Sequence, residues 1–419
     1  MRTKTIPRGR GKNRATTMDG LTDALAKILA TVRPVEAIEV SLSEAIGLVL
    51  AEPAIADVDL PPFDRASIAG YAVSSRDVAS GVLLRISAPW SDDGHGIDRN
   101  EAARVEPGEA MPLGADAVLR VDEVRAELGG RVVEALCAIK PGQSVVRRGS
   151  ILRSGSILAE TGERVRPSMV PLLASQGCIY PLCHRRVRVA ILAVGDHLVG
   201  PADAPVLHHE RNASNLAVGA IVLADGAMPH DLGSVAESEF EAALDRGLNA
   251  PLVLILGRLS GGLCRTLARV GVEPVVSGIA LETSGGFDLG HGVVRDEDGR
   301  VVSHVVHLPL DPSAAVVAAS LIVRPLIARL QGSDSDRPTL PVVWDAPQPA
   351  TDVRTRAIPA SLMIAPDGRL RALPVASPDL PDLALADGLA LFPPSAGPWQ
   401  GGEVIGFVSF EPWPGRPGT

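Results

Sequence analysis

The stretch "VRVAILAV", residues 187–194, decides the fold. It is an apolar run of strand length, the pattern of a parallel strand buried on both faces. Beyond it, "NLAVGAIVLADGA" (215–227) has helical spacing and ends at Gly226. "SVAESEFEAALDRGLN" (234–249) predicts another helix, with Ser234 and Glu237 at capping-box spacing. "PLVLIL" (251–256) is the next strand, leading through the glycine turn "GRLSGGL" into a helix over "CRTLARVG". "VVSHVVHLPL" is a further strand, and Asp311-Pro312 is placed to cap the helix of "SAAVVAASLIVRPLIARL". Strands alternating with helices predict a doubly wound α/β domain over 186–330.

The flanks read differently. "TDALAKILATV" puts Leu25, Ile28 and Leu29 on one helical face, and "VSLSEAIGLVLAE" predicts a second short helix. Short Val-rich strands broken by Gly, Pro and Asp between Pro61 and Val146 predict a small β domain. After the polar linker "QGSDSDRP" (331–338), a Pro-rich remainder with an Asp-Gly turn at 367–368 predicts a small β barrel or sandwich. At 419 residues, with 46% hydrophobic residues, the chain is a multidomain globular one whose cores are built from Ala, Val, Leu and Ile.

A net charge of −9 argues against a nucleic-acid-binding body. The opening "MRTKTIPRGRGKNRATT" is the exception: it is basic, without an acid and without a secretory h-region, and reads as a disordered tail or an arm for an acidic partner. Cys137, Cys178, Cys183 and Cys264 lack C-x-x-C spacing, so they read as reduced core residues of a cytoplasmic protein. No apolar run reaches 18–20 residues without charge, turn residues or proline, so no membrane span is expected.

"DLPPFDRASIAGYAV" (59–73) is a specified loop entering a strand, since proline fixes φ and glycine permits a tight backbone. With "EAMPLGADAVLRVDEV" (109–124), "RRGSILRSGSIL" (147–158), "GERVRPSMVPLLASQG" (162–177), "RVRVAILAVGDHLVGP" (186–201) and "VVHLPLDPSAA" (305–315), it resembles in order the motifs of the molybdopterin molybdenumtransferase family. That family comprises the bacterial MoeA proteins and the equivalent domain of gephyrin.

The resemblance implies a basic tail over 1–17 and an elongated domain from 18–58 plus 147–185. It further implies an inserted β domain over 59–146, a MogA-like α/β domain over 186–330 and a terminal β barrel over 338–414. It implies a homodimer, with a cofactor-synthesis or molybdoenzyme protein as a further partner. It implies a late step of molybdenum cofactor synthesis: adenylylated molybdopterin and molybdate meet in a cleft, with Mg²⁺ held by carboxylates.

Several positions depart from the family pattern. Ala69 stands where the family has Asp, Pro107 where it has Thr, and His197 where it has Glu. The counterpart of the family's acidic "SGGVSVGEADYT" is "LSGGLCRTLARVG", without the acids. The family's "KPGKP" lysines fall near Glu282–Gly285, and no lysine follows Lys140. The resulting site set is Asp64, Asp196 and His197 for chemistry, and Asp196 with Glu237 for metal. Ser67, Gly70, Tyr71, Gly195, Arg258, Ser260, Gly261, Gly262, Arg265, Pro309, Asp311 and Pro312 are set for the pterin phosphate. On residue chemistry alone, Asp64 is a ligand-facing acid or an Asx-turn former, and Asp196 a cation ligand or a turn residue. His197 is a metal ligand, an acid–base group or incidental. The turn Arg258–Arg265 offers helix N–H groups and two guanidiniums to an anion. Either an altered transferase or a non-catalytic binding or scaffold protein follows from these losses.

Overall fold

The computed structural model describes residues 19–87, 96–258, 260–282, 290–333, 339–348, 354–377, 379–394 and 398–411. The basic tail (1–17) and most of the 331–338 linker lie outside them.

Strand Arg188–Val194 runs parallel to Met228–Val235 on one side and to Leu252–Leu256 on the other, and the latter pairs in parallel with Val301–Leu308. Gly290–Arg295 and Glu273–Val276 complete a six-stranded sheet in antiparallel register. Successive side chains of a strand point to opposite faces, and the core divides accordingly. Val189, Ile191, Leu252, Leu254, Val306 and Leu308 pack under the helices Leu21–Leu29, Ser214–Ala224 and Pro312–Leu330. Ala190, Leu192, Val253, Ile255 and Val305 pack against Phe240, Leu244 and Leu263 of the opposite helices. The doubly wound α/β reading is the observed one.

The helix Pro312–Leu330 is long and apolar enough to cross a membrane by length and composition, but 78% of its 18-residue window is buried inside the protein. A π turn at Ala319–Val323 precedes Pro325, whose missing N–H cannot continue the regular ladder.

Two readings of the flanks are corrected. "VSLSEAIGLVLAE" forms successive turns, because Gly47 takes φ +82° and the backbone of 47–50 bonds Glu163 and Val165 across the domain. Ser234 belongs to strand Met228–Val235, paired with Ala193, and Ala236 occupies the helix N-cap position with no side-chain cap. The Ser234–Glu237 capping box therefore does not form.

The elongated body has one core made from two separated segments: Leu42, Leu48, Leu50 and Ala54 meet Ala159, Val165, Leu173 and Cys183. Helix Leu21–Leu29 packs instead on the α/β core. Cys183 is buried, whereas Cys264 is exposed on helix Gly261–Arg269, so the reading of all four cysteines as core residues is corrected at Cys264. In the inserted domain, Gly70–Val73 lies between Glu101–Val105 and Ala117–Arg120 in a second six-stranded sheet.

At the end of the chain, Leu340–Trp344, Thr355–Ile364, Leu370–Pro374, Gly388–Phe392 and Val404–Ser409 close into a five-stranded barrel around Trp344, Phe392 and Phe407. Strand Ile279–Glu282 leaves the α/β body to pair with Thr355–Ile364. Arg356 pairs with Glu282 beside that junction, and buried Arg324 reaches from the long helix to the Ser409 and Phe410 carbonyls. The barrel is thereby joined to the α/β sheet.

Candidate functional site at the carboxyl edge of the sheet

The four parallel strands deliver their carboxyl ends to one edge. The chain leaves Arg188–Val194 to build Met228–Val235 on one side and later returns to Leu252–Leu256 on the other. Ligands of open α/β sheets sit at such a reversal point. Gly195–His197, Ala236–Glu237, Gly257–Gly262 and Pro309–Asp311 all follow those strand ends.

Gly257 crosses closest to the neighbouring strand: a Cβ there would lie 2.9 Å from the Val194 carbonyl oxygen. Its own carbonyl is 2.7 Å from Nε2 of buried His307. Ser260 then caps helix Gly261–Arg269, its Oγ accepting from the Gly262 and Leu263 N–H groups, each at 3.1 Å. The same hydroxyl donates to Glu237 Oε1. A Cβ on Gly262 would fall 2.0 Å from that carboxylate oxygen, so the glycine admits Glu237 to the helix start. The Gly261 N–H has no hydrogen-bond partner among the described residues. Arg258 and Arg265 are exposed and have no ion-pair partner among the described residues, whereas Arg269 pairs with Glu241.

Asp196 is exposed in the turn after its strand. His197 Nε2 lies 3.2 Å from Glu210 Oε1, and its carbonyl accepts from the Glu210 N–H, so this histidine ties down the 195–211 loop. Asp311 accepts from the Ala314 N–H at 2.8 Å with Pro312 at the first helical position, the expected cap, and Ser214 donates to the Leu310 carbonyl. Pro309 therefore belongs to a turn held from both sides.

The remaining predicted residues occupy a different body. Asp64 accepts from Arg147 Nη1 at 2.6 Å and from the Arg148 N–H at 2.7 Å. The Arg148 N–H, then the Arg147 guanidinium, hold its carboxyl below the ordinary range. It is a clasp across the domain, not an Asx-turn former. Asp59 makes the matching pair with Arg148. Gly70 has no room for a Cβ, which would lie 2.0 Å from the Leu119 carbonyl. Tyr71 packs on the domain core, while Ser67 is exposed with its N–H on the Ser144 carbonyl. Among the described residues, no hydrogen bond or ion pair joins Asp64, Ser67, Gly70 or Tyr71 to the sheet edge.

The donor set does not fit a carboxylate-held Mg²⁺. Among the described residues no three His, Cys, Asp or Glu side chains gather at one point, and Glu237 already holds Ser260. Glu282 pairs with Arg356, and residues 283–285 lie outside the described residues.

Sequence reasoning missed the buried histidines. His291 Nε2 and His304 Nδ1 lie 3.1 Å apart in a stacked pair. Burial, with His304 as a second cause for His291, pushes their pKa values down to about 3 and about 4. Their only signal was histidine at an inward position of an otherwise apolar strand. The arginine clasps were also missed, because their partners stand more than eighty residues away.

Fold and edge together define a multidomain α/β protein that presents glycine turns, hydroxyls and charged groups at the carboxyl end of a doubly wound sheet. Residues 20–177 match the family profile described as the MoeA N-terminal region, domains I and II. The molybdopterin molybdenumtransferase of Haemophilus influenzae is 28% identical over 312 residues, 71% of this chain and 74% of that one. That of Bacillus subtilis is 25% identical over 395 residues, 87% and 88% of the two chains. The crystal structure of the molybdopterin biosynthesis MoeA protein from Pyrococcus horikoshii superposes with a TM-score of 0.82 at 22% identity, covering 95% of this chain and all of that one. Residues 20–177 thus carry the MoeA N-terminal region, and the chain is similar over most of its length to molybdopterin molybdenumtransferases.

Proposed function

We propose that this chain works in molybdenum cofactor biosynthesis as a homodimeric molybdopterin-binding protein, taking molybdopterin or its adenylylated form at the carboxyl edge of the α/β sheet. The observation that carries this reading is the Gly257–Gly262 turn at the reversal point of the sheet. There the Gly261 N–H at the positive end of helix Gly261–Arg269 has no hydrogen-bond partner among the described residues, Arg265 Nη1 lies beside Gly261, and Arg258 and Arg265 are exposed with no ion-pair partner among the described residues. Backbone donors and guanidiniums of this kind hold phosphate oxygens and offset charge that develops on them. Molybdate insertion at such a site would rely on these cationic groups, since the described carboxylates do not form a metal cage.

A second reading is a binding or scaffold protein that holds the cofactor without turning it over. Ala69 favours it, because this position in the loop before Gly70 offers no carboxylate to a ligand. The test is titration of the purified protein with molybdopterin, its adenylylated form and molybdate, with and without Mg²⁺, followed by analysis for AMP. Binding with AMP release supports the transferase; binding without release supports the scaffold. Failure to bind any of them refutes both. Light scattering measures the dimer in the same samples.

A further inference from the structure

An open cavity of about 430 Å³ lies between the helices Phe240–Gly247 and Gly261–Arg269, lined among others by Glu237, Phe240, Leu263, Arg265, Thr266 and Arg269. Its volume falls within the roughly 300–1,000 Å³ of small-molecule sites. Glu237 does not move freely at its wall. The Ser260 hydroxyl fixes Oε1, and the missing Cβ of Gly262 lets the carboxylate lie against the helix start. Oε2 has no hydrogen-bond partner among the described residues.

A carboxylate only accepts. With Oε2 unbonded among the described residues and one lone pair of Oε1 left beside the Ser260 bond, this carboxylate can accept from two adjacent N–H donors of a ligand edge. The 2-amino-4-oxopyrimidine edge, shared by pterins and guanine, has that pattern in its exocyclic amino group and neighbouring ring N–H. Phe240 and Leu263, each 1% exposed, underlie the cavity as its apolar floor, and exposed Arg265 at its wall supplies a cation for a phosphate attached to a bound ring.

Building on the molybdopterin reading above, we infer that Glu237 reads the 2-amino-4-oxopyrimidine edge of the ligand ring while Arg265 holds its phosphate. Glu237 is thus a specificity residue.

The test compares 6-hydroxymethylpterin with the lumazine of the same substitution, in which a carbonyl replaces the 2-amino donor, and includes GMP and pyrophosphate. Wild-type protein should prefer the pterin over the lumazine by about tenfold or more, the range of one hydrogen bond to a charged group. E237Q should bring that ratio to within about twofold. E237D, which keeps the charge, should retain part of the preference and serves if E237Q misfolds. R265A should weaken pyrophosphate and leave the pterin-to-lumazine ratio unchanged. An unaltered ratio in E237Q overturns the inference but leaves the binding reading standing. Pyrophosphate binding without pterin binding also overturns it. No binding of any probe overturns both. GMP binding tighter than pterin, with the same loss in E237Q, keeps the ring-edge assignment and refutes the pterin ligand.

Discussion

Replacing Arg324 by alanine should uncouple the terminal barrel from the α/β body. The Arg324 side chain is 2% exposed and its Nε donates to Asp225 Oδ2 at 3.0 Å, a carboxylate itself 7% exposed. Its two terminal nitrogens donate to the carbonyls of Ser409, at 2.7 Å, and Phe410, at the end of the last barrel strand. Removing one partner of a buried pair leaves the other charge uncompensated, at a cost of about 3–5 kcal/mol. Each orphaned carbonyl adds about 1–3 kcal/mol of desolvation without strict additivity, so a loss near 4–5 kcal/mol is expected. Two of the four tryptophans, Trp344 and Trp399, sit with Phe392 in or against the barrel core, so their fluorescence follows this domain through a urea titration. R324A should move the fluorescence transition to markedly lower urea. A double change, R324M with D225L, should recover the part of the loss due to the buried Asp225 charge and leave that of the two orphaned carbonyls. A decrease below about 1 kcal/mol in R324A would refute the strut.

Gly70→Ala should destabilise the inserted domain by roughly 3 kcal/mol or more, since the new methyl meets backbone, the Leu119 carbonyl at 2.0 Å, where no side chain can yield; circular dichroism melting of the variant checks this. The His291–His304 pair is neutral when folded, with pKa values lowered to about 3 and about 4 against about 6.5 in the unfolded chain. Its contribution is complete above pH 6.5 and is lost as pH falls toward 4, because the unfolded chain takes up protons first. The melting temperature should therefore drop between pH 7 and pH 4.5, and a His291→Leu/His304→Leu double variant should flatten that slope. Asp64, with its carboxyl held below the ordinary range, contributes stability above about pH 4 that is lost as pH falls further. D64N should lose stability at pH 7, by an amount that shrinks as pH falls below about 4, which acid unfolding curves of the two proteins measure.

The α/β body was legible because its strands are buried on both faces and its turns carry their own chemistry. "VRVAILAV" and "PLVLIL" could pack only inside a parallel sheet, and Asp311-Pro312 is a self-contained cap. What failed was long-range. "VSLSEAIGLVLAE" has helical residues, but its backbone finds partners at 163–165, which no local spacing reveals. Helix Leu21–Leu29 was read correctly, yet its partner is the α/β core and not its sequence neighbours.

The candidate site shows the same division more sharply. Gly70 and Gly262 stand in two loops expected from sequence to face the ligand, and both have structural reasons to be glycine: one faces the Leu119 carbonyl, the other the Glu237 carboxylate. Asp64 and His197, read as chemical groups, spend their side chains on Arg147 and Glu210. Sequence position alone could not separate these roles, because a clasp and a catalytic acid use the same residue types. At the sheet edge the groups without a side-chain partner among the described residues are exposed Asp196, the Gly261 N–H, Arg258, Arg265 and the second oxygen of Glu237. That set has two guanidiniums and two carboxylates, exposed Asp196 and tethered Glu237, fewer oxygen ligands than the cage of a divalent cation takes. Grafting Asp at position 69 adds one carboxylate to a half-exposed loop position, so A69D should fold as wild type does and leave ligand affinity within about threefold. An A69D variant that lost binding altogether would mean that the loop before Gly70 packs against the ligand, and the division drawn between scaffold and site would have to move.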